Sequence, residues 1–230
     1  MCGVVGMVLK SPTTEDFQLA KRVFHESSIR GLHATGISYV KDGKITTEKL
    51  AVPADEFPFD FESYVNEDGN LYLIGHCRYS TSDLQYNQPL GDSSVSIVHN
   101  GVVTQELPEN WKELYGYETE TKNDSELIYK TVTESPLEKW KDASLSVIEL
   151  YKDKHIRFYR NGKRPIYLSL IQNGCIITST MDIAVRAGVL MSDELPANTY
   201  YTYNGTTLTQ EPVIINSKDL QEVDYEELSV

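Results

Sequence analysis

The chain has 230 residues, a formal charge of −13, 40% hydrophobic and 24% charged residues, the balance of a soluble globular protein. Its acidity, with no cluster of Lys and Arg, excludes nucleic acid as an expected partner, because neutralising phosphates takes clustered cations. The longest apolar runs, such as Val4-Val5-Gly6-Met7-Val8-Leu9, fall far short of the ~20 residues of a membrane helix, so no membrane association is expected.

The chain opens Met1-Cys2-Gly3-Val4-Val5-Gly6. Clipping of Met1 would make Cys2 a nucleophile that carries its own base, since a free α-amine titrates near pH ~8 and can take the proton of the thiol on the same residue. The alternative is that Cys2 is a small residue starting a buried strand over 3–10. A cap within Ser11-Pro12-Thr13-Thr14 and apolar Phe17, Ala20 and Phe24 at helical spacing predict a helix over 14–28, ending before Gly31. Strands 37–40 and 45–50 flank Asp42-Gly43, a hairpin signal. Residues 52–66, with Pro53 and Pro58, read as a loop with a helical turn.

Over 71–80 a period of two puts Leu71, Leu73, Gly75, Cys77 and Tyr79 on one face and Tyr72, Ile74, His76, Arg78 and Ser80 on the other. A loop through Asn87-Gln88-Pro89 leads to a strand over 95–99 ending in Asn100-Gly101, then a short strand over 102–104. Residues 106–117 suggest a surface helix, and Asn123-Asp124-Ser125-Glu126 opens another whose Leu127, Ile128, Thr131 and Val132 share a face. Beyond Ala143 short strands alternate with turn dipeptides: 145–151, 156–159, 165–171, 175–179, 199–203 and 207–213, interrupted by one helix over 181–187. Many antiparallel strands with helices inserted between groups imply an α+β fold of two packed sheets covered by helices.

No repeat, low-complexity block or linker interrupts the chain, so one domain over 1–230 is expected. Its end, about 217–230, carries Asp219, Glu222, Asp224, Glu226 and Glu227 against Lys218 and reads as a solvated acidic tail or a docking strip for a basic partner. No secretory signal is recognisable, and three irregularly spaced cysteines make no disulfide framework; a cytoplasmic location is expected. No metal site is expected either, because Cys2, Cys77 and Cys175 lack ligand spacing.

Four polar sites break the core-and-surface pattern, each at a strand or helix end, where a scaffold presents reactive groups. Cys2-Gly3-Val4-Val5-Gly6, Arg30-Gly31-Leu32-His33-Ala34-Thr35-Gly36, His76-Cys77-Arg78-Tyr79-Ser80-Thr81, Val98-His99-Asn100-Gly101 and Asn123-Asp124-Ser125-Glu126, in that order, resemble the motifs of the class II glutamine amidotransferase domain. This is the N-terminal nucleophile (Ntn) hydrolase module of glucosamine-6-phosphate synthase, asparagine synthetase and amidophosphoribosyltransferase. Gly162-Lys163-Arg164-Pro165-Ile166 and the strand end 177–181 are similar to later family stretches, so the resemblance covers nearly the whole chain. It implies a four-layer αββα sandwich of two mainly antiparallel sheets.

The resemblance also implies roles. Cys2 would attack the side-chain amide of glutamine, its amine passing the proton to departing ammonia, and water would release glutamate from the thioester. The Asn100 side chain and the Gly101 N–H would bind the oxyanion, Arg78 the substrate α-carboxylate and Asp124 its α-ammonium, with Thr81 lining the pocket. No cofactor is implied. Each residue has a plainer reading: Arg78 as a strand-face ion pair, Asp124 as a helix cap, Asn100-Gly101 as a hairpin turn, Arg30 as structural, His76 and His99 as buried and satisfied. His33 and Ser82 depart from residues that relatives carry at these positions and leave the branch open. Because relatives continue into a synthase domain, the chain is expected to be a stand-alone glutaminase subunit feeding ammonia to a separate synthase or ligase. The alternatives are an N-terminal cysteine hydrolase of another linear or γ-glutamyl amide, and a non-catalytic regulatory subunit with the same fold.

Overall fold

The structure, a computed structural model, describes residues 2–79 and 87–215. Thr81, Ser82, Met1 and the acidic stretch 217–230 lie outside the described residues. In chain order the elements are β1 (Gly3–Lys10), α1 (Thr14–Ser28), β2 (Ala34–Lys41), β3 (Lys44–Leu50), β4 (Asn70–Arg78), β5 (Leu90–Gly91), β6 (Val95–His99), α2 (Trp111–Tyr115), α3 (Ser125–Lys130) and α4 (Pro136–Lys139). Then come β7 (Ser146–Tyr151), β8 (His155–Arg160), β9 (Tyr167–Ile171), β10 (Gly174–Thr178), α5 (Met181–Ala187), β11 (Asp193–Glu194), β12 (Thr199–Tyr203) and β13 (Leu208–Pro212).

The strands form two antiparallel sheets, ordered β11-β9-β10-β1-β4-β2-β3 and β13-β12-β8-β7-β6-β5. β1 lies inside the first sheet, paired with β4 on one side and β10 on the other, and its side chains are buried as far as Leu9. That double coverage is why its sequence is continuously apolar instead of alternating. In β4 the period of two is realised: Leu71, Leu73 and Cys77 pack with α1 and α5 through Phe24 and Ile183. Tyr72 and Ile74 point the other way, against Ile148, Leu150 and Phe158 of the second sheet. On that sheet's far face Ile97, Val147 and Tyr159 pack with Leu127, Leu137 and Trp140 of the α3 and α4 region. Three apolar layers between four structural layers give the α+β, αββα sandwich expected of the sequence.

Local chemistry sets the element ends. The Thr13 hydroxyl accepts the Asp16 N–H while the Asp16 carboxylate accepts the Thr13 N–H, a reciprocal cap that starts α1. Asp42 and Gly43 both have positive φ, 51° and 69°, as a two-residue hairpin turn requires. The expected strand over 102–104 does not form, and only an isolated bridge joins Val102 to Ser144. The backbone N–H groups of Val103 and Thr104 donate instead to the Asp124 carboxylate, at 2.5 and 3.3 Å. The helix expected over 106–117 shortens to α2: Pro108 opens a separate 3-10 turn and Gly116, at φ 81°, ends the helix. No helix among the described residues is long and apolar enough to cross a membrane.

Within the second sheet Glu149 is completely buried. It accepts from Arg157 Nε at 2.6 Å, the Tyr151 hydroxyl at 2.6 Å and the Tyr159 hydroxyl at 2.8 Å. Arg157 also donates to the Val132 carbonyl, tying the sheet to the segment after α3. A buried carboxylate is tolerable only with such a complete set of donors.

Candidate active site

Cys2 at the start of β1, Arg78 at the end of β4, Gly101 just beyond β6 and Asp124 at the entrance of α3 line one cavity of about 280 Å³. Residues far apart in sequence meet there because β1 and β4 are antiparallel neighbours in one sheet and the end of β6 faces them from the other. A larger hollow, about 570 Å³, lies on α1 between Lys21, His25 and Asp55. It contains none of the motif residues, so the smaller cavity is the better candidate, being where nucleophile and polar groups converge.

Cys2 is partly exposed, whereas Cys77 and Cys175 are buried. Burial pushes the Cys77 thiol up to about 12 and raises that of Cys175 as well, which leaves Cys2 as the accessible thiol. Its main chain is held from two sides. The Cys2 nitrogen donates to Asn100 Oδ1 at 3.3 Å, and Arg30 Nε donates to the Cys2 carbonyl at 3.3 Å. Arg30, read from sequence as structural, thus holds the Cys2 backbone. Gly31 beside it is needed for close approach: a Cβ there would sit 2.3 Å from the Arg78 carbonyl carbon and 2.4 Å from the Cys77 oxygen.

Asn100 is buried, and its own N–H donates to the Ser146 carbonyl at 2.9 Å. With Oδ1 turned to Cys2, its Nδ2 is buried and finds no hydrogen-bond partner among the described residues. A buried amide nitrogen left without an acceptor is costly, and here it belongs to the residue whose Oδ1 accepts from the Cys2 nitrogen, although Asn100 is not among the residues that line the cavity. Gly101 passes so close to the segment before β7 that a Cβ would lie 1.8 Å from the Ser144 oxygen and 2.6 Å from His99 Nε2, so no other residue fits. The tightness comes from a turn packed against a neighbouring chain segment, not from a free hairpin.

Asp124 occupies the N-cap position of α3 without capping it through its side chain. Its Oδ2 instead holds the Val103 and Thr104 N–H groups. Asn123 takes the local role, its Oδ1 accepting the Ser125 N–H at 3.0 Å. Asp124 therefore fixes the segment that follows Gly101 while also facing the cavity.

His99 is buried and fully bonded, through Ser125 Oγ and the Ser144 oxygen, each at 2.9 Å. His76 is also buried and lines the cavity, but neither of its ring nitrogens has a hydrogen-bond partner among the described residues, unlike the satisfied histidine expected. Burial, with the Arg78 guanidinium nearby, pushes its imidazole down to about 3, so it is neutral at physiological pH. Among the described residues no group of three His, Cys, Asp or Glu side chains is placed to hold a metal ion.

Gln88, Ser125, Thr104, Lys122 and Asn123 also line the cavity, and the sequence reading assigns none of them a role. Gln88 sits in a loop with no periodic signal, and its side chain bonds the backbone of His99. Ser125 stands inside a family-like motif, next to the charged Asp124 that offers the more obvious chemistry.

No family model matches the chain. Over 136 residues, 56% of this chain and 26% of the relative, it is 34% identical to the amidophosphoribosyltransferase of Haemophilus influenzae. Among solved structures it is similar to the glutamine phosphoribosylpyrophosphate amidotransferase of B. subtilis, at TM-score 0.70 and 21% identity over 92% of this chain and 49% of that one. A structure described as the allosteric regulatory enzyme of purine biosynthesis gives TM-score 0.72 and 21% identity over 94% and 50%. A glutamine aminotransferase class-II domain protein from Silicibacter pomeroyi gives TM-score 0.56 and 11% identity over 92% and 99%. The chain thus spans about a quarter of the curated relative and about half of the first two solved chains.

Proposed function

We propose that this chain, which has the Ntn-hydrolase-like fold of class II glutamine amidotransferase domains, hydrolyses the side-chain amide of glutamine through Cys2 and supplies the ammonia to an acceptor synthase or ligase. The observation that carries this reading is the orientation of Asn100: Oδ1 toward the Cys2 nitrogen, Nδ2 buried and unpartnered. One side chain thereby addresses both the prospective base and the place where negative charge would develop.

Once Met1 is removed, the Cys2 nitrogen becomes an α-amine and takes the thiol proton. The sulfur attacks the carboxamide carbon, and the carbonyl oxygen becomes an oxyanion that accepts from Asn100 Nδ2 and the Gly101 N–H. The C–N bond breaks as the amine returns its proton to the leaving ammonia, giving a γ-glutamyl thioester. Water, deprotonated by the same amine, then releases glutamate and regenerates the thiol.

Arg78 binds the α-carboxylate, its planar fork suiting two oxygens. Asp124 binds the α-ammonium through Oδ1, since the bonds to Val103 and Thr104 use Oδ2. The residue composition of the site and the amidophosphoribosyltransferase likeness both support glutamine over another linear amide. We place the reaction in the cytoplasm, in keeping with three free cysteines.

The test is glutamate release from glutamine by protein whose N-terminus has been verified as Cys2. Wild type should release glutamate and Cys2→Ala should not; activity persisting in Cys2→Ala refutes the assignment.

A further inference from the structure

Gln88, His99 and Ser125 are 4%, 1% and 2% exposed, and three polar side chains are buried together only if their bonds are complete. Here the direction of every proton is fixed. The Ser144 carbonyl can only accept, so His99 Nε2 carries the hydrogen of their 2.9 Å bond. In a neutral ring Nδ1 must then accept, and the Ser125 hydroxyl donates to it at 2.9 Å. Ser125 Oγ in turn accepts from Gln88 Nε2 at 3.0 Å. The same Nε2 donates to the His99 carbonyl at 3.2 Å, and Gln88 Oε1 accepts the His99 N–H at 2.6 Å.

One carboxamide therefore takes both backbone groups of His99, as a paired strand would. The backbone pairing of β5 with β6 ends at Leu90 opposite Ile97, two residues short of His99, and the Gln88 side chain continues it to the residue before Asn100. Burial lowers the His99 pKa against the opposing pull of the Asp124 carboxylate, which keeps the ring in the neutral form that this arrangement requires.

We infer that Gln88 and Ser125 are positioning residues which, through a neutral Nε2–H His99, hold the Asn100-Gly101 turn in its oxyanion-binding geometry. The inference rests on the glutaminase reading of the site. An oxyanion donor works only when it is placed for the tetrahedral intermediate, and His99 is the hub. Its backbone leads directly into Asn100, and its ring and the Ser144 carbonyl bonded to it together wall in Gly101.

The test compares wild type, Gln88→Met and Ser125→Ala in three measurements on folded protein. These are kcat and KM for glutamine, the rate of Cys2 alkylation by iodoacetamide, and the ring nitrogen shifts of His99 by NMR. Alkylation at a saturated carbon forms no oxyanion, and the buried Cys77 and Cys175 do not compete for the reagent. The expected result is a kcat lower by about 10²-fold in Gln88→Met and by about 10-fold in Ser125→Ala, the scale of one buried hydrogen bond. KM should stay at its wild-type value, the alkylation rate should fall by far less than kcat because only the placement of the Cys2 nitrogen is disturbed, and His99 should be the Nε2–H tautomer in wild type. A network that only stabilised the fold would lower the unfolding midpoint and leave kcat untouched, and that result overturns the inference. So does a fall in alkylation matching the fall in kcat, or an Nδ1–H tautomer in wild type. Wild type that alkylates at Cys2 yet releases no glutamate overturns the glutaminase reading and the inference with it; active wild type with unaffected variants overturns the inference alone.

Discussion

The main-chain nitrogen of Cys2 lies 3.3 Å from Oδ1 of Asn100, a contact between residues 98 positions apart. It joins the first strand of one sheet to the turn beyond β6 of the other. The gap between the two sheets at this edge is thus where Cys2 and Asn100, the proposed nucleophile and oxyanion donor, meet.

Asn100→Asp separates the two functions proposed for this side chain. The carboxylate can still accept from the Cys2 nitrogen, but the donor Nδ2 becomes an acceptor carrying negative charge. We expect kcat to fall by about 10²–10³-fold while the protein stays folded. A change confined to KM, measured by steady-state glutamate release, would count against the oxyanion role.

Arg78→Ala should act chiefly on binding. Loss of a charge-assisted contact of about 1.5–3 kcal/mol corresponds to a rise in KM of roughly 10–100-fold, with a smaller effect on kcat, because the interaction exists before the chemistry begins. Unchanged kinetics would return Arg78 to a purely structural role.

His76 makes acid stability a readable quantity. Its folded pKa, about 3, lies below the unfolded value of about 6.5. The unfolded chain therefore binds a proton that the folded chain refuses. The contribution is fully present above pH ~6.5 and is lost as pH falls toward 3, at up to about 1.4 kcal/mol per pH unit. His76→Gln should lose less stability than wild type between pH 7 and pH 5 in urea unfolding, other titrating groups cancelling in the comparison. Parallel losses would show that His76 is protonated in the folded state.

Glu149→Ala leaves the Arg157 guanidinium and two tyrosine hydroxyls without their shared acceptor. A destabilisation of about 3–5 kcal/mol is expected in denaturant unfolding. The double change Glu149→Met with Arg157→Met should cost much less, since it removes the buried carboxylate together with its partly buried partner; equal losses would argue that packing, not charge, dominates.

Much of the sandwich is legible in the sequence because its signals are local. The helix Thr14–Ser28 follows from its cap and helical spacing, and the two faces of β4 from its period of two. The strand expected at 102–104 fails because side chains far along the chain claim its N–H groups, Ser144 that of Val102 and Asp124 those of Val103 and Thr104, and no local pattern records such contacts. The motif residues Cys2, Arg78, Gly101 and Asp124 do converge. How they are held is not legible: Gln88 acts on His99 by bonds set by the crossing of loop and strand. The paired use of Asn100 likewise depends on the packing of one sheet on the other.

The most direct measurement is intact and fragment mass spectrometry of protein mixed with glutamine and quenched in acid during turnover. A glutamyl adduct is expected on a fragment that begins at Cys2, absent from Cys2→Ala and accumulating when the thioester forms faster than it is hydrolysed. Glutamate release from a chain that retains Met1 with Cys2 unmodified throughout would contradict it.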